Sequence, residues 1–383
     1  MTKSRVANAV FAVSTLFALS AAGSVLASGG VPNGESSNAE AQNNDDQYVQ
    51  DRLGISAEDL KLREIIDEAL RRLVNATEGK VGAGGVWLEW DPFRVIVGVA
   101  DNPGPDVASA IESFPFPDLL RVTPTPTDVR SLLATSDELV ALRDSGALPL
   151  FDVGLDMEAS KVVIYLRPQD VDLLREVVNG VSGDLLDNVR IEATGTSQPT
   201  TAGGGNLANG CSSAFMIKSS ATSFGVLSAG HSGCNGSTTY LSGNITTTAL
   251  HASAFGYRDR VLQKLSSGSP SNDLYISISP YIRDITSARY WNTLVVNDLA
   301  CKQVRTTGYG CGRIKDKYYK PSYIPSSDRF LRMDIACDSG DSGGSWFYNN
   351  AAYGVQSGKT STNLCIFGSI SWAIPSGYNL VTS

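Results

Sequence analysis

The chain has 383 residues, 42% of them hydrophobic, with 37 glycines, six cysteines, two histidines and a net charge of −8. Length and apolar content fit two ordinary domains and exclude a collagen, a coiled coil or a disordered tail. Charge is divided unevenly: residues 1–199 carry 16 Lys and Arg against 30 Asp and Glu, whereas residues 200–383 carry 15 against 9, so an acidic half and a basic half should attract each other.

Lys3 and Arg5 precede an uncharged stretch, Val6 to Ala27, that ends Val25-Leu26-Ala27. This reads as a secretory signal over residues 1–27, cut after Ala27, rather than as a membrane anchor. No later stretch is long and apolar enough to span a bilayer, so the mature chain is expected to be secreted. Ser28 to Asp46 is polar and reads as disordered. From Asp51 to Val74 the period is helical, with Leu60, Ile65, Ile66, Leu70 and Leu73 on one side. Val86 to Trp90 and Phe93 to Val97 flank Asp91-Pro92 as a hairpin. The proline-rich run Pro103 to Pro126 predicts loop, and Asp128 an N-cap. Phe151 to Leu155 and Val162 to Leu166 form a second strand pair around Glu158-Ala159-Ser160. A helix over Asp170 to Val181 and a strand at Val189-Arg190-Ile191 complete an α+β domain with two similar halves. Ala193 to Asn206 has the composition of a linker. Beyond it come short strands with Gly, Ser and Asn turns, the pattern of a β-barrel or sandwich.

All six cysteines lie between Cys211 and Cys365. In an exported chain this is a disulfide framework with 15 possible pairings, among which composition does not choose. With two histidines and no close Cys-x-x-Cys pair, neither a metal nor another cofactor is expected. The Lys and Arg are scattered without a recognised motif, so no nucleic-acid partner is expected either.

Gly340-Asp341-Ser342-Gly343-Gly344 offers a nucleophile on a sharp turn, with the amides of Gly340 and Ser342 as oxyanion donors. The pentapeptide also fits the nucleophile elbow of α/β-hydrolases. That order needs a histidine after the serine, and both His231 and His251 precede it. The subtilisin order needs an Asp before the His, and none lies between the linker and His231. His, Asp, Ser is the order left. His231, in Ala229-Gly230-His231 at the end of an apolar strand and bracketed by Cys211 and Cys234, is the base; His251 reads as structural. Asp273, heading the alternating run Asp273 to Ile278, is the expected orienting carboxylate. Asp259, between Arg258 and Arg260, reads as solvated, and Asp284, Asp298, Asp316 and Asp328 read as loop residues.

The run Cys301 to Gly312, with Gly354-Val355-Gln356-Ser357-Gly358 and the Ala-Gly-His and Gly-Asp-Ser-Gly-Gly motifs, resembles the bacterial streptogrisin and alpha-lytic endopeptidases of the chymotrypsin superfamily. The resemblance covers residues 203–383 and implies an all-β double β-barrel with the triad in the cleft. It implies the bridges Cys211–Cys234, Cys301–Cys311 and Cys337–Cys365. By layout, residues 28–200 resemble this branch's α+β pro-domains, so a protease domain over 201–383 would free itself by cleavage near Thr200 to Gly203. The expected activity is a secreted, monomeric serine endopeptidase acting on protein or peptide substrates, with its own pro-domain as partner. A catalytically impaired binding protein and an esterase on the same barrel are the alternatives. Ser357, Gly358 and Lys359 would pair with the substrate backbone. Asp341 would need a cation, either Lys302 or Arg305. Lys359 stands where glycine usually leaves the pocket open, so it would narrow the cleft or favour acidic substrate positions. Ile335, where a trypsin-like acid would sit, predicts an apolar pocket, and Gln356 argues against glutamate specificity.

Overall fold

The computed structural model describes residues 38–181, 187–199, 207, 210–220, 223–231, 233–240, 245–253, 259–276, 282–324 and 329–382. The expected signal segment and the expected cleavage site at 200–203 lie outside them. Among the described residues no helix is long and apolar enough to cross a membrane.

Helix α1 (Asn38–Leu53) corrects the reading of residues up to Asp46 as disordered. A polar helix holds here because its carboxylates find partners far away in the chain: Asp45 is fully buried and binds Arg283, and Asp46 accepts a 3.0 Å hydrogen bond from Tyr348 Oη. Gly54, at φ 66°, ends α1, so the helical period after Asp51 is divided rather than continuous. Ser56 caps α2 (Ala57–Ile65), and α3 (Asp67–Thr77) follows, with Leu70, Leu73 and Val74 buried.

Strands β1 (Ala83–Trp90) and β2 (Phe93–Val99) form the expected hairpin. The segment expected as loop contains α4 (Pro105–Glu112) and β3 (Leu120–Pro124), which runs parallel to β2. Proline permits both. At the first turn of α4 it removes an N–H that has no intrahelical partner, and β3 is an edge strand. Asp128 caps α5 (Val129–Asp144) by accepting from Ser131 N at 2.8 Å. The unit then repeats: hairpin β4 (Phe151–Asp156) and β5 (Lys161–Leu166), helix α6 (Val171–Val181), then β6 (Val189–Glu192) parallel to β5. Each half is thus a hairpin, a helix and a third strand returning parallel to the second.

The rest of the chain is almost all β. Strand β7 (Gln198–Pro199) ends the linker. Strands β8 (Met216–Ser220), β9 (Ser223–Ser228), β10 (Thr239–Tyr240), β11 (Ile245–Ser253) and β12 (Arg260–Leu265) join the last strand of the chain in a six-stranded antiparallel sheet. A separate pair, β13 (Asp273–Tyr275) and β14 (Ile282–Asp284), leads to the short β15 (Ser287–Ala288). Strands β16 (Leu299–Gln303), β17 (Tyr309–Tyr319), β18 (Phe330–Ala336), β19 (Ser345–Tyr348), β20 (Ala351–Lys359) and β21 (Leu364–Ser369) follow. Because β20 pairs with both β19 and β21, these six close into a barrel. The short helix α7 (Ile370–Ala373) and β22 (Asn379–Leu380), which returns to β8, end the chain. The fold is the all-β pair of six-stranded units expected from the sequence, preceded by an α+β region. Three disulfides, Cys211–Cys234, Cys301–Cys311 and Cys337–Cys365, lie in the β region.

Both halves of the α+β region grip the closed barrel. Leu88 N donates to Val296 O at 3.1 Å, and Trp90 Nε1 to Asn297 O at 2.7 Å. In the second half, Val153 of β4 exchanges backbone bonds with Lys320, just past the end of β17. The charge division is realised in pairs: Asp45 with Arg283, Asp67 with Arg289, Glu78 with Lys317 and Asp137 with Lys320. Arg63 with Asp298 has the reversed sign, in a buried bidentate contact at 2.9 and 3.0 Å.

Candidate active site

His231 follows β9 and is fully buried. Its Nδ1 lies 3.0 and 2.9 Å from the two carboxylate oxygens of Asp259. This corrects the expectation that Asp273 orients the imidazole. Asp273 is exposed and sits opposite Asp284 on the separate β13–β14 pair. Asp259 is buried instead of solvated, because its arginine neighbour Arg260 turns away and donates to Ala373 O at 2.8 Å. Position follows from the sheet. Strand β12 starts just after Asp259 and pairs with β9, Val261 opposite Ser228, so the residue two before Val261 comes alongside the turn that carries His231.

Two further groups hold the Asp259 carboxylate, and a third backs one of them. Gly230 N donates to Oδ1 at 3.0 Å, and Ser357 Oγ donates to Oδ2. Ser357 Oγ in turn meets Tyr323 Oη at 2.9 Å. Burial pushes the Tyr323 phenol well above its usual range, so it stays a neutral hydrogen-bonding group. Neither Tyr323 nor this arrangement around Asp259 was signalled by a motif.

Ser342 is buried, and its Oγ donates to Ser357 O at 3.2 Å. Gly340 at φ 101° and Gly343 at φ 88° supply the left-handed backbone that turns the chain so sharply. A Cβ on Gly343 would stand 2.2 Å from Ser212 O, so the position is closed to any side chain. Ser212 straps the Ser342 loop down: its N donates to Ser342 O at 2.7 Å and its Oγ to Gly340 O at 3.0 Å. The neighbouring Cys211 is bridged to Cys234, whose N donates to His231 O at 3.1 Å. One disulfide therefore ties the strap of the serine to the loop of the histidine.

Asp341 is fully buried. It accepts from Thr306 N at 2.9 Å, Thr307 N at 3.1 Å, Thr307 Oγ1 at 2.6 Å and Asp338 N at 2.9 Å. Of the two candidate cations, Lys302 is the one that reaches it, at 3.8 Å, while Arg305 is exposed. Burial pulls the Lys302 ammonium down to about 8, with Asp341 opposing the fall.

The substrate-strand candidates lie on β20. Gly358 and Lys359 pair antiparallel with Pro199 and Gln198 of the linker. Gln356 is buried and spent on Trp346 Nε1 and Gly358 O. Ile335 lies over Gly310 and Gly312 of β17, and Asp334 accepts from Arg313 N at 2.5 Å. His251 lies on β11.

No family model matches the chain. It is similar in structure to a Nocardiopsis protease, at 20% identity and TM-score 0.37, over 47% of this chain and 98% of that one. Thermobifida fusca protease A matches at 23% identity and TM-score 0.38, over 48% of this chain and 100% of its own. A Cellulomonas bogoriensis chymotrypsin matches at 20% identity and TM-score 0.36, over 48% and 99%.

Proposed function

We propose that the chain is the precursor of a secreted serine endopeptidase with His231 as base, Asp259 as orienting carboxylate and Ser342 as nucleophile. The observation that carries this reading is the buried contact of Asp259 with His231 Nδ1, at 2.9 and 3.0 Å, in a molecule that also holds a buried, glycine-flanked serine. With Nδ1–H held by Asp259, Nε2 is left to accept a proton. Ser342 Oγ attacks a peptide carbonyl, its proton passes to His231 Nε2, and the same proton then goes to the leaving amine. Water repeats the sequence on the acyl-enzyme and restores Ser342. The amides of Gly340 and Ser342 would hold the oxyanion, each worth about 3–4 kcal/mol. The amides of Asp341 and Gly343 are committed elsewhere, to Asp338 O and Gln356 O.

Residues 28–200 act in this reading as a pro-domain. Its linker strand β7 lies on the β20 edge that a substrate would use, which would keep the cleft occupied. Substrate residues next to the cut are apolar in this reading, since β18 carries Ile335 where a trypsin-like acid would sit.

A fluorophosphonate probe tests the reading. A single adduct on Ser342 of the processed protein is expected. A folded, processed protein without that adduct would be a binding protein on the same fold.

Release of the pro-domain should depend on pH. Asp316 of β17 is fully buried beneath β4, accepting from Leu155 N at 2.9 Å and from Tyr318 N at 2.7 Å. Burial holds its carboxyl up at about 7, against the pull of Arg332, with Asp156 of the pro-domain also facing it. Burial raises Asp45 and Asp152 in the same direction, and both accept from tyrosines of β17, Tyr309 and Tyr319. A carboxyl whose pKa is raised in the complex binds a proton there that the separated parts do not. The complex is therefore tight at acid pH and weakens as pH rises, and Asp316 alone weakens it between about 4 and about 7 by up to about tenfold per unit. Binding of the cleaved pro-domain to the mature part should be tighter at pH 5 than at pH 7.5, and Asp316→Asn should flatten the slope.

A further inference from the structure

The residue whose carbonyl Ser342 attacks must place its side chain between the strand it pairs with, Ser357 to Lys359, and the loop that carries the nucleophile, Asp338 to Ser342. In this protein those two segments are joined by a side-chain bridge. Lys359 ends β20, with its backbone paired to Gln198 on one side and to Cys365 on the other. Its Nζ reaches Asp338 Oδ1 at 2.8 Å. Asp338 is itself fixed. Its N donates to Asp341 Oδ2 at 2.9 Å, its O accepts from Asp341 N at 3.1 Å, and Ser339 N donates to its Oδ1 at 2.7 Å. The lysine end is mostly covered, at 19% side-chain exposure, and the aspartate end faces solvent at 58%. The bridge therefore sits at a rim rather than in the interior.

Resting on the endopeptidase reading, we propose that Lys359 and Asp338 form a latch across the mouth of the side-chain pocket beside Ser342, restricting cleavage to peptide bonds that follow a small residue such as Thr, Ala or Val. Two features support it. The lysine side chain is mostly covered, at 19% exposure, and is held across to Asp338, so its four-carbon stem occupies space that a glycine at 359 would not. The chain's own linker, Gln198-Pro199 on β20, continues in sequence with Thr200 and Thr201, both small. The Lys359 ammonium is already engaged by the Asp338 carboxylate of the facing loop, so it serves as a closure and is not a receptor for an acidic substrate.

The test uses the mature enzyme and paired peptides that differ only in Thr or Phe before the scissile bond. The unsubstituted enzyme should prefer Thr. Lys359→Gly should move the kcat/KM ratio towards Phe by about tenfold to a hundredfold, the range for admitting or excluding apolar bulk. Asp338→Asn, and raising salt from about 0.05 M to about 1 M on the unsubstituted enzyme, should move it the same way by about two- to fivefold, as expected for a partly exposed ion pair. An unchanged ratio in Lys359→Gly overturns the latch. If that variant does not fold, an unchanged ratio in both Asp338→Asn and the salt series overturns it. A preference of the unsubstituted enzyme for Glu or Asp that Lys359→Met abolishes would make the lysine a receptor, and also overturns it. Absence of a fluorophosphonate adduct on Ser342 of the unsubstituted enzyme removes the endopeptidase reading itself, an outcome separate from any change in ratio.

Discussion

Asp259→Asn is expected to lower kcat by about 10⁴-fold, while Asp273→Asn stays within about twofold of the unsubstituted enzyme. The asparagine is nearly isosteric, and its oxygen can still accept from Gly230 N, which donates to Asp259 at 3.0 Å. It cannot both accept from Nδ1–H and carry the negative charge that stabilises the imidazolium. His231 would turn the wrong tautomer towards Ser342 and lose its counter-charge as the proton arrives. The loss should fall on kcat more than on KM, because the charge develops only as Ser342 attacks. Asp273 has no such role. It is exposed on β13 and faces Asp284, whose carboxyl is raised by burial and by the Asp273 charge beside it. Removing the Asp273 charge relieves a repulsion far from the cleft. Single-turnover measurement with a chromogenic peptide separates the two variants. Asp259→Asn within tenfold of the unsubstituted rate would return the role to another carboxylate.

What the sequence disclosed and what it hid follow from the range of the interactions. The sharp turn at Ser342 is legible because its requirement is local: glycines that accept positive φ stand on either side of it. His231 is singled out by chain order alone. The contact of Asp259 with His231 is not legible, because Arg258 and Arg260 beside it in sequence suggest a solvated turn. Which way Arg260 points is decided by Ala373 O, more than a hundred residues on. A usable signal existed all the same. Asp259 directly precedes the strand Arg260–Leu265, which is the natural antiparallel partner of the strand leading to His231. Asp273 lies beyond that strand, where the chain has already left the sheet. The same distinction holds in the N-terminal region. Asp128 as a cap and the turn at Ser160 are local and were legible. Helix α1 was not, since its carboxylates are satisfied by Arg283 of β14 and by Tyr309 and Tyr348 of the barrel. The division of charge between the two halves foretold that they would meet, and only the structure assigns Asp67 to Arg289 and Glu78 to Lys317.

Ser342→Ala should abolish turnover, a loss of about 10⁶-fold in kcat for a serine nucleophile, and should leave the chain uncut between its two parts. The register of β7 on β20 gives this prediction its geometry. Pro199 stands opposite Gly358, one residue along β20 from Ser357, whose carbonyl oxygen lies 3.2 Å from Ser342 Oγ. Cleavage within the same molecule then needs no second copy. Its rate should not depend on protein concentration, and the new N-terminus should fall at Thr201. In the alanine variant the linker has no nucleophile to meet, yet every other contact of the α+β region with the barrel remains, including the Arg63–Asp298 pair and the backbone exchange between Val153 and Lys320. The variant should therefore fold and accumulate as the uncut species, which intact-mass measurement after signal removal detects directly. A pure preparation of Ser342→Ala that still matures would show that another enzyme makes the cut. In that case the linker on β20 acts as an inhibitor and never as a substrate.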